Sequence, residues 1–124
     1  MIRRTLILGL TLAMPLAAIA QEQRGPNGGR VVVADGHPVE FVPNGAELVF
    51  YLRDDDRAGS PMRTRGLTGR AVVQQGGQTI TVQLAGAEPN RMVGQMDQPL
   101  APGARVVFSA SAGGHRLQAR FTND

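Results

Sequence analysis

Cysteine is absent from this 124-residue chain. Its absence excludes disulfides, a thiolate metal site and a catalytic thiol, along with a lipid anchor on a cleavage-point cysteine. Tryptophan is absent too, and aromatic residues are few: one tyrosine and four phenylalanines. So sparse a set offers little to stack single-stranded bases on, which argues against nucleic acid as a partner. Lysine is also missing, so almost nothing titrates between neutrality and about pH 10. The sequence pI near 11.0 therefore reflects a flat titration curve. Helical stretches are missing as well. Sixteen glycines and eight prolines leave no uninterrupted amphipathic run of about ten residues beyond the N-terminal segment. Catalytic constellations are absent from the pattern. Ser60 precedes Pro61 in a loop, Ser109 and Ser111 have no acid close in sequence, and Gly25–Gly29 lacks the lysine and following helix of a phosphate loop. The chain is expected not to be an enzyme.

The N-terminus has a different character. Arg3 and Arg4 precede an apolar run from Leu6 to Ile19, which closes on Ala18-Ile19-Ala20. A basic start, a short apolar core and a small-x-small exit mark residues 1–20 as a secretory signal peptide cleaved after Ala20. The run is shorter than the roughly 20 residues of a membrane span and contains Pro15. No membrane insertion is expected after cleavage, and the mature chain is expected in the periplasm. Removing Arg3 and Arg4 leaves eleven of the thirteen basic residues against ten acids, a net charge of +1. Along the sequence, charges of both signs alternate, and no basic stripe is expected.

The mature chain of about 104 residues suits a single domain. Residues 21–29 are polar and glycine-rich and read as a flexible N-terminal arm, leaving 30–124 as one β domain. From Arg30 onward the apolar period is two. Val39 and Phe41 alternate with Glu40; Leu48, Phe50 and Leu52 share one face; Ile80, Val82 and Leu84 alternate with Thr79, Thr81 and Gln83; Leu117, Ala119 and Phe121 alternate with Arg116, Gln118 and Arg120. This is the pattern of antiparallel sheet with one face buried. Pro43-Asn44-Gly45, Gly76-Gly77 and Gly113-Gly114 mark hairpin turns. The expected fold is all-β, a small antiparallel β-sandwich or barrel of about seven strands in largely up-and-down order.

Few residues carry metal or acid–base chemistry. His37 and His115 each follow a glycine and open a predicted strand on its apolar side. Two imidazoles at one end of a sheet, joined by a methionine, would suit copper or zinc; two rim histidines without a spatial relation are the alternative. Met62, Met92 and Met96 are soft Cu(I) donors or, in methionine's commoner role, core fillers. Asp54-Asp55-Asp56 supplies hard oxygens, but no spaced acids follow to complete a calcium cage, so the segment reads as a solvated turn ending a strand.

One resemblance bears on function. Gly25-Pro26-Asn27-Gly28-Gly29-Arg30-Val31-Val32 and Gly36-His37-Pro38-Val39-Glu40-Phe41-Val42 resemble the small exported β domain found alone and at the N-terminus of periplasmic adaptor subunits of resistance-nodulation-division heavy-metal efflux pumps. Gly69–Val73, Thr79–Leu84, Pro99–Ala104 and Gln118–Phe121 fit the stand-alone form of that pattern. The resemblance implies an accessory domain of heavy-metal efflux or tolerance, with His37 and Glu40 carried over as metal positions; on the residues alone, His115 or a methionine would assist His37. Asn27 stands where the family often has histidine. Copper or zinc is the ion implied, and an efflux pump or other envelope protein the partner. A second expectation is a metal-free interaction module, whose outward arginines, Arg70, Arg105, Arg116 and Arg120, would suit an acidic partner.

Overall fold

The structure is a computed structural model and describes residues 23–112 and 114–124. The predicted signal peptide, Gln21 and Glu22 lie outside the described residues. Nine strands form one sheet: β1 (Gln23–Arg24), β2 (Arg30–Ala34), β3 (His37–Asn44), β4 (Glu47–Leu52), β5 (Thr68–Gln75), β6 (Gln78–Ala87), β7 (Arg91–Gln95), β8 (Arg105–Ala112) and β9 (His115–Thr122). Leaving aside the two-residue β1, eight antiparallel strands make a nearly closed barrel, and no helix occurs among the described residues. The expected all-β class stands, and of the two architectures the barrel is the one adopted.

Sheet order is β1-β2-β3-β4-β7-β6-β5-β8-β9. The expected up-and-down order therefore holds only in part. Strand β4 pairs with β7, and β5 pairs with β8. Two overlapping Greek keys result, each built from three hairpin-linked strands and a fourth returning by a long connection. The cause lies in residues 53–67 and 96–104, which are too long for hairpin turns and carry the chain across an end of the barrel. Strand β7 escapes sequence analysis because RMVGQ is short and contains Gly94. That glycine is required by packing: a Cβ there would lie 2.6 Å from Leu84 Cδ2 and 2.7 Å from the Gln83 carbonyl.

The turns follow their sequences. Asp35 and Gly36 both take positive φ, 49° and 84°, and join Ala34 to His37 as a two-residue hairpin of the Asp-Gly kind. Gly76 and Gly77 do the same between β5 and β6, at 58° and 74°. The Asn44-Gly45 turn sits one residue later than its sequence suggests: Asn44 still pairs with Glu47, and Gly45-Ala46 form the turn.

Alternation then fills the interior. Val39, Phe41, Leu48, Phe50, Leu52, Ala71, Val73, Val82, Leu84, Val106, Phe108, Leu117, Ala119 and Phe121 are all buried. Met92 and Met96 are buried with them, as core fillers. All four phenylalanines meet inside. Phe41 stacks on Phe50 with centroids 4.8 Å apart, Phe50 reaches Phe108 at 4.7 Å, and Phe41 reaches Phe121 at 5.2 Å. The last contact spans the seam between the two ends of the sheet, where β2 lies beside β9 without a hydrogen-bonded ladder. An Arg30–Asp124 ion pair crosses the same seam. Segment 96–104 closes one end, with Leu100 buried and the Leu100 N–H bonded to the Gly45 carbonyl. Segment 62–67 closes the other. There Thr64 is fully buried, its hydroxyl donates to the Ala87 carbonyl, and its backbone occupies the space any side chain at Gly86 would need.

Phe50 touches two of the other three rings within 5 Å. Phe50→Ala is expected to cost about 3–5 kcal/mol, read as a lower urea midpoint at unchanged slope. A loss below about 1 kcal/mol would mean that the aromatic cluster does not hold the seam closed.

Candidate functional site

Strand β3 turns its odd-numbered residues inward, so Glu40 points away from the core. It is nonetheless completely buried. The segment expected to be a flexible arm accounts for this. Gln23 and Arg24 pair with Val31 and Arg30 as β1, and residues 25–29 fold into a tight loop, with Gly25 N–H bonded to the Gly29 carbonyl and Gly28 N–H to the Gly25 carbonyl. This loop lies on the outer face of β3 and presents its donors to the Glu40 carboxylate. Oε2 accepts the N–H groups of Asn27 at 2.9 Å and Gly29 at 2.8 Å; Oε1 accepts the Asn27 side-chain amide at 3.1 Å and Arg53 at 3.4 Å. Side chains at Gly25 or Gly29 would overlap the Glu40 carboxyl or the Phe41 carbonyl. The glycine-rich motif is thus a cradle for a buried carboxylate, which docks the 25–29 loop on the outer face of β3.

The three residues expected to share a metal are not brought together. Glu40 is sequestered on the outer face beneath the loop. His37 stands at the rim, three residues back along β3, its Nδ1 3.0 Å from the Arg53 carbonyl. A carbonyl only accepts, so Nδ1 carries a hydrogen, and in the neutral ring the lone pair is on Nε2. His115 approaches Asp35, Nδ1 to Oδ2 3.1 Å, with side chains 62% and 53% exposed. Asp35 belongs to the turn that precedes His37, so both imidazoles occupy one rim of the barrel. No group of three or more histidine, aspartate or glutamate side chains among the described residues is placed to hold a metal ion.

The aspartate run lies at that rim also. Asp56 accepts from the Ser60 N–H at 3.0 Å and the Ser60 hydroxyl at 2.8 Å. The Ser60 backbone bond, then its hydroxyl, hold the Asp56 carboxyl below the ordinary range. Asp54 N–H bonds to the Ser60 carbonyl at 2.7 Å, so the run is a self-closed turn.

On the outer face of β6, β5, β8 and β9, starting beside this rim, the arginines come together. Strands β6, β5, β8 and β9 are neighbours, and their outward residues fall in register. Gln83, Arg70, Ser109 and Gln118 form one row; Thr81, Val72, Val107 and Arg120 the next; Thr79, Gln74, Arg105 and Thr122 the last. Ser111 and Arg116 pair beyond the first row. Successive rows are roughly 7 Å apart. Arg70, Arg105, Arg116 and Arg120 are all exposed, none takes part in an ion pair among the described residues, and no acidic residue lies on these rows. The acids sit elsewhere: Asp35 and the aspartate run on the rim, Glu47 on β4, Glu88 and Asp97 in loops, and Asp124 against Arg30. Elsewhere the two signs stay interspersed, as the Arg53–Glu40, Arg65–Glu88 and Arg30–Asp124 pairs show. The four arginines expected to face outward do share one face, because pairing β5 with β8 brings together residues 35 and more apart in sequence.

The cradle makes a direct prediction. Glu40→Gln replaces one acceptor oxygen with an NH₂ group facing backbone donors. It is expected to cost about 1–3 kcal/mol and to speed amide hydrogen exchange at Asn27 and Gly29 selectively. Unchanged exchange at those two amides would show that the carboxylate does not order the loop.

No protein-family model, curated protein or solved structure matches this chain.

Proposed function

We propose that this chain is a non-catalytic docking module of the periplasm, exported through residues 1–20 and accessory to heavy-metal efflux or tolerance. It binds an acidic envelope partner through the outer face of β6, β5, β8 and β9. The observation that carries this reading is the presence of four exposed arginines on one acid-free, hydroxyl- and amide-rich sheet face. A barrel packed solid with side chains works through its exterior. Arginine forks recognise carboxylates and phosphates bidentately, and a single-sign face steers encounter and fixes orientation. The efflux setting rests on the likeness of residues 25–42 to the adaptor-associated domain. The structural duty of Glu40 means that this motif needs no bound metal to explain its glycines.

The test compares two variants of equal net charge. With Arg70, Arg105, Arg116 and Arg120 all changed to Gln, binding to immobilised poly-glutamate at low salt is expected to fall at least about tenfold, and the gene should no longer restore metal tolerance to a deletion strain. Changing Arg57, Arg63, Arg65 and Arg91 to Gln should leave both intact. Equal losses in the two variants would reduce the effect to net charge and refute the reading.

A second reading is favoured by one detail, the posture of His37. Its Nδ1 is anchored on a backbone carbonyl, leaving the neutral ring's lone pair on Nε2, the arrangement in which histidine serves as a metal ligand. With His115 on the same rim, the mature chain binds Zn²⁺ or Cu²⁺ weakly, and Glu40 has no part in it. Calorimetric titration is expected to show a single weak site that His37→Ala removes and Glu40→Gln, if folded, retains. Binding that survives His37→Ala excludes this site.

A further inference from the structure

Within the arginine face, one groove has the donors of an oxyanion site. It is lined by Thr68, Arg70, Gln83, Ser109, Ser111 and Arg116, with backbone from Gly69 and Ala110. The register fixes the arrangement. Strand β8 runs between β5 and β9, so Ser109 and Ser111 lie between Arg70 on one flank and Arg116 on the other. Ser109 is directly across from Arg70, and Ser111 directly across from Arg116. Two guanidiniums thus bracket two hydroxyls, with a third hydroxyl from Thr68 and the amide of Gln83 alongside. Neither arginine has an ion-pair partner among the described residues, and every charged group lining the groove is cationic.

We infer that this groove binds a phosphate group, free or carried on a lipid headgroup. The inference deepens the docking reading and rests on it. The spatial spread of the donors separates phosphate from carboxylate. A carboxylate has two oxygens whose lone-pair sites all lie in one plane, so it suits donors arrayed around that plane. A phosphate presents its oxygens tetrahedrally. It can take one fork from the β5 side, a second from the β9 side and hydroxyl donors from β8 beneath it. Arg105 and Arg120 share the face but do not line the groove; they contribute long-range attraction and no direct bond.

The experiment is an amide NMR titration of the folded mature chain with inorganic phosphate, and with acetate at equal ionic strength. Flotation with phosphatidylglycerol vesicles and with neutral phosphatidylcholine vesicles accompanies it. Phosphate is expected to give saturable shifts at residues 68–70, 109–111 and 116, weakened about tenfold or more by Arg70→Gln or Arg116→Gln and changed little by Arg105→Gln. Acetate is expected to give no saturable shifts there. Capture by anionic vesicles alone, with the same ranking of variants, also supports the site and assigns the phosphate to a headgroup. Three results overturn it: neither phosphate shifts nor capture by anionic vesicles, acetate acting as phosphate does, or Arg105→Gln weakening binding as much as Arg70→Gln. Any of them would leave the docking reading standing on the poly-glutamate comparison, which fails only if the two four-arginine variants behave alike.

Discussion

Contact between the ends of the sheet is the constraint on which the rest depends. Strands β2 and β9 lie side by side without a ladder, so the barrel is held shut by what its interior side chains gain from burial. Phe41, beside β2, reaches Phe121 on β9, and Phe50 joins both to Phe108. A buried phenylalanine contributes about 1.5–3 kcal/mol relative to an exposed one, and each aromatic pair about 0.5–1.5 kcal/mol more. The Arg30–Asp124 pair at the seam has one partner over half exposed and adds little by comparison. In a chain without disulfides, concentrating every phenylalanine at the point of closure is what makes one curled sheet a single core.

Closure also decides what the outside can do. Because the interior is filled and both ends are plugged by chain segments, outward residues define the molecule's chemistry. On β3 the outward position opposite Val31 and Tyr51 is Glu40, and the protein covers it. The loop at 25–29 reaches the carboxylate only because Gly25 has no side chain to collide with it and Gly29 none to collide with the Phe41 carbonyl. Four donors then replace the water it has lost, and a buried carboxylate requires such compensation. These bonds dock the 25–29 loop on the outer face of β3, next to the ladder that pairs β1 with β2.

Much of the fold was legible in the residues. Period-two alternation gave β3, β4, β6 and β9 with their inward faces, and Gly76-Gly77 placed a hairpin where it occurs. The omissions have physical causes. Strand β7 lacks apolar alternation because Gly94 must admit β6 closely, and β1 is a two-residue pairing on β2 beside a loop docked on Glu40, which no local pattern announces. Glu40 was a candidate ligand only through the family resemblance; its burial depends on a loop that sequence alone leaves loose. His37 and His115 were placed correctly at strand starts, and the shared rim depends on strand order, which alternation does not encode.

Strand order explains the arginine face as well. Each arginine, taken alone, is an ordinary outward residue of a half-exposed strand, and all four were legible as such. What sequence could not supply is that the connection after β7 returns β8 to the free side of β5. Had the strands followed one another up and down, β8 would have paired with β7, and Arg70 would have been separated from Ser109 by two intervening strands. The Greek key puts them directly opposite. The topology that closes the core with phenylalanines therefore also assembles the four-arginine face: Phe108 points inward from β8 and Ser109 outward, one residue apart on the same strand. Packing and surface charge are the two sides of one register. A slip of one residue in β8 would bury Ser109 and expose Phe108, so the burial of Phe108 holds the arginine face in register.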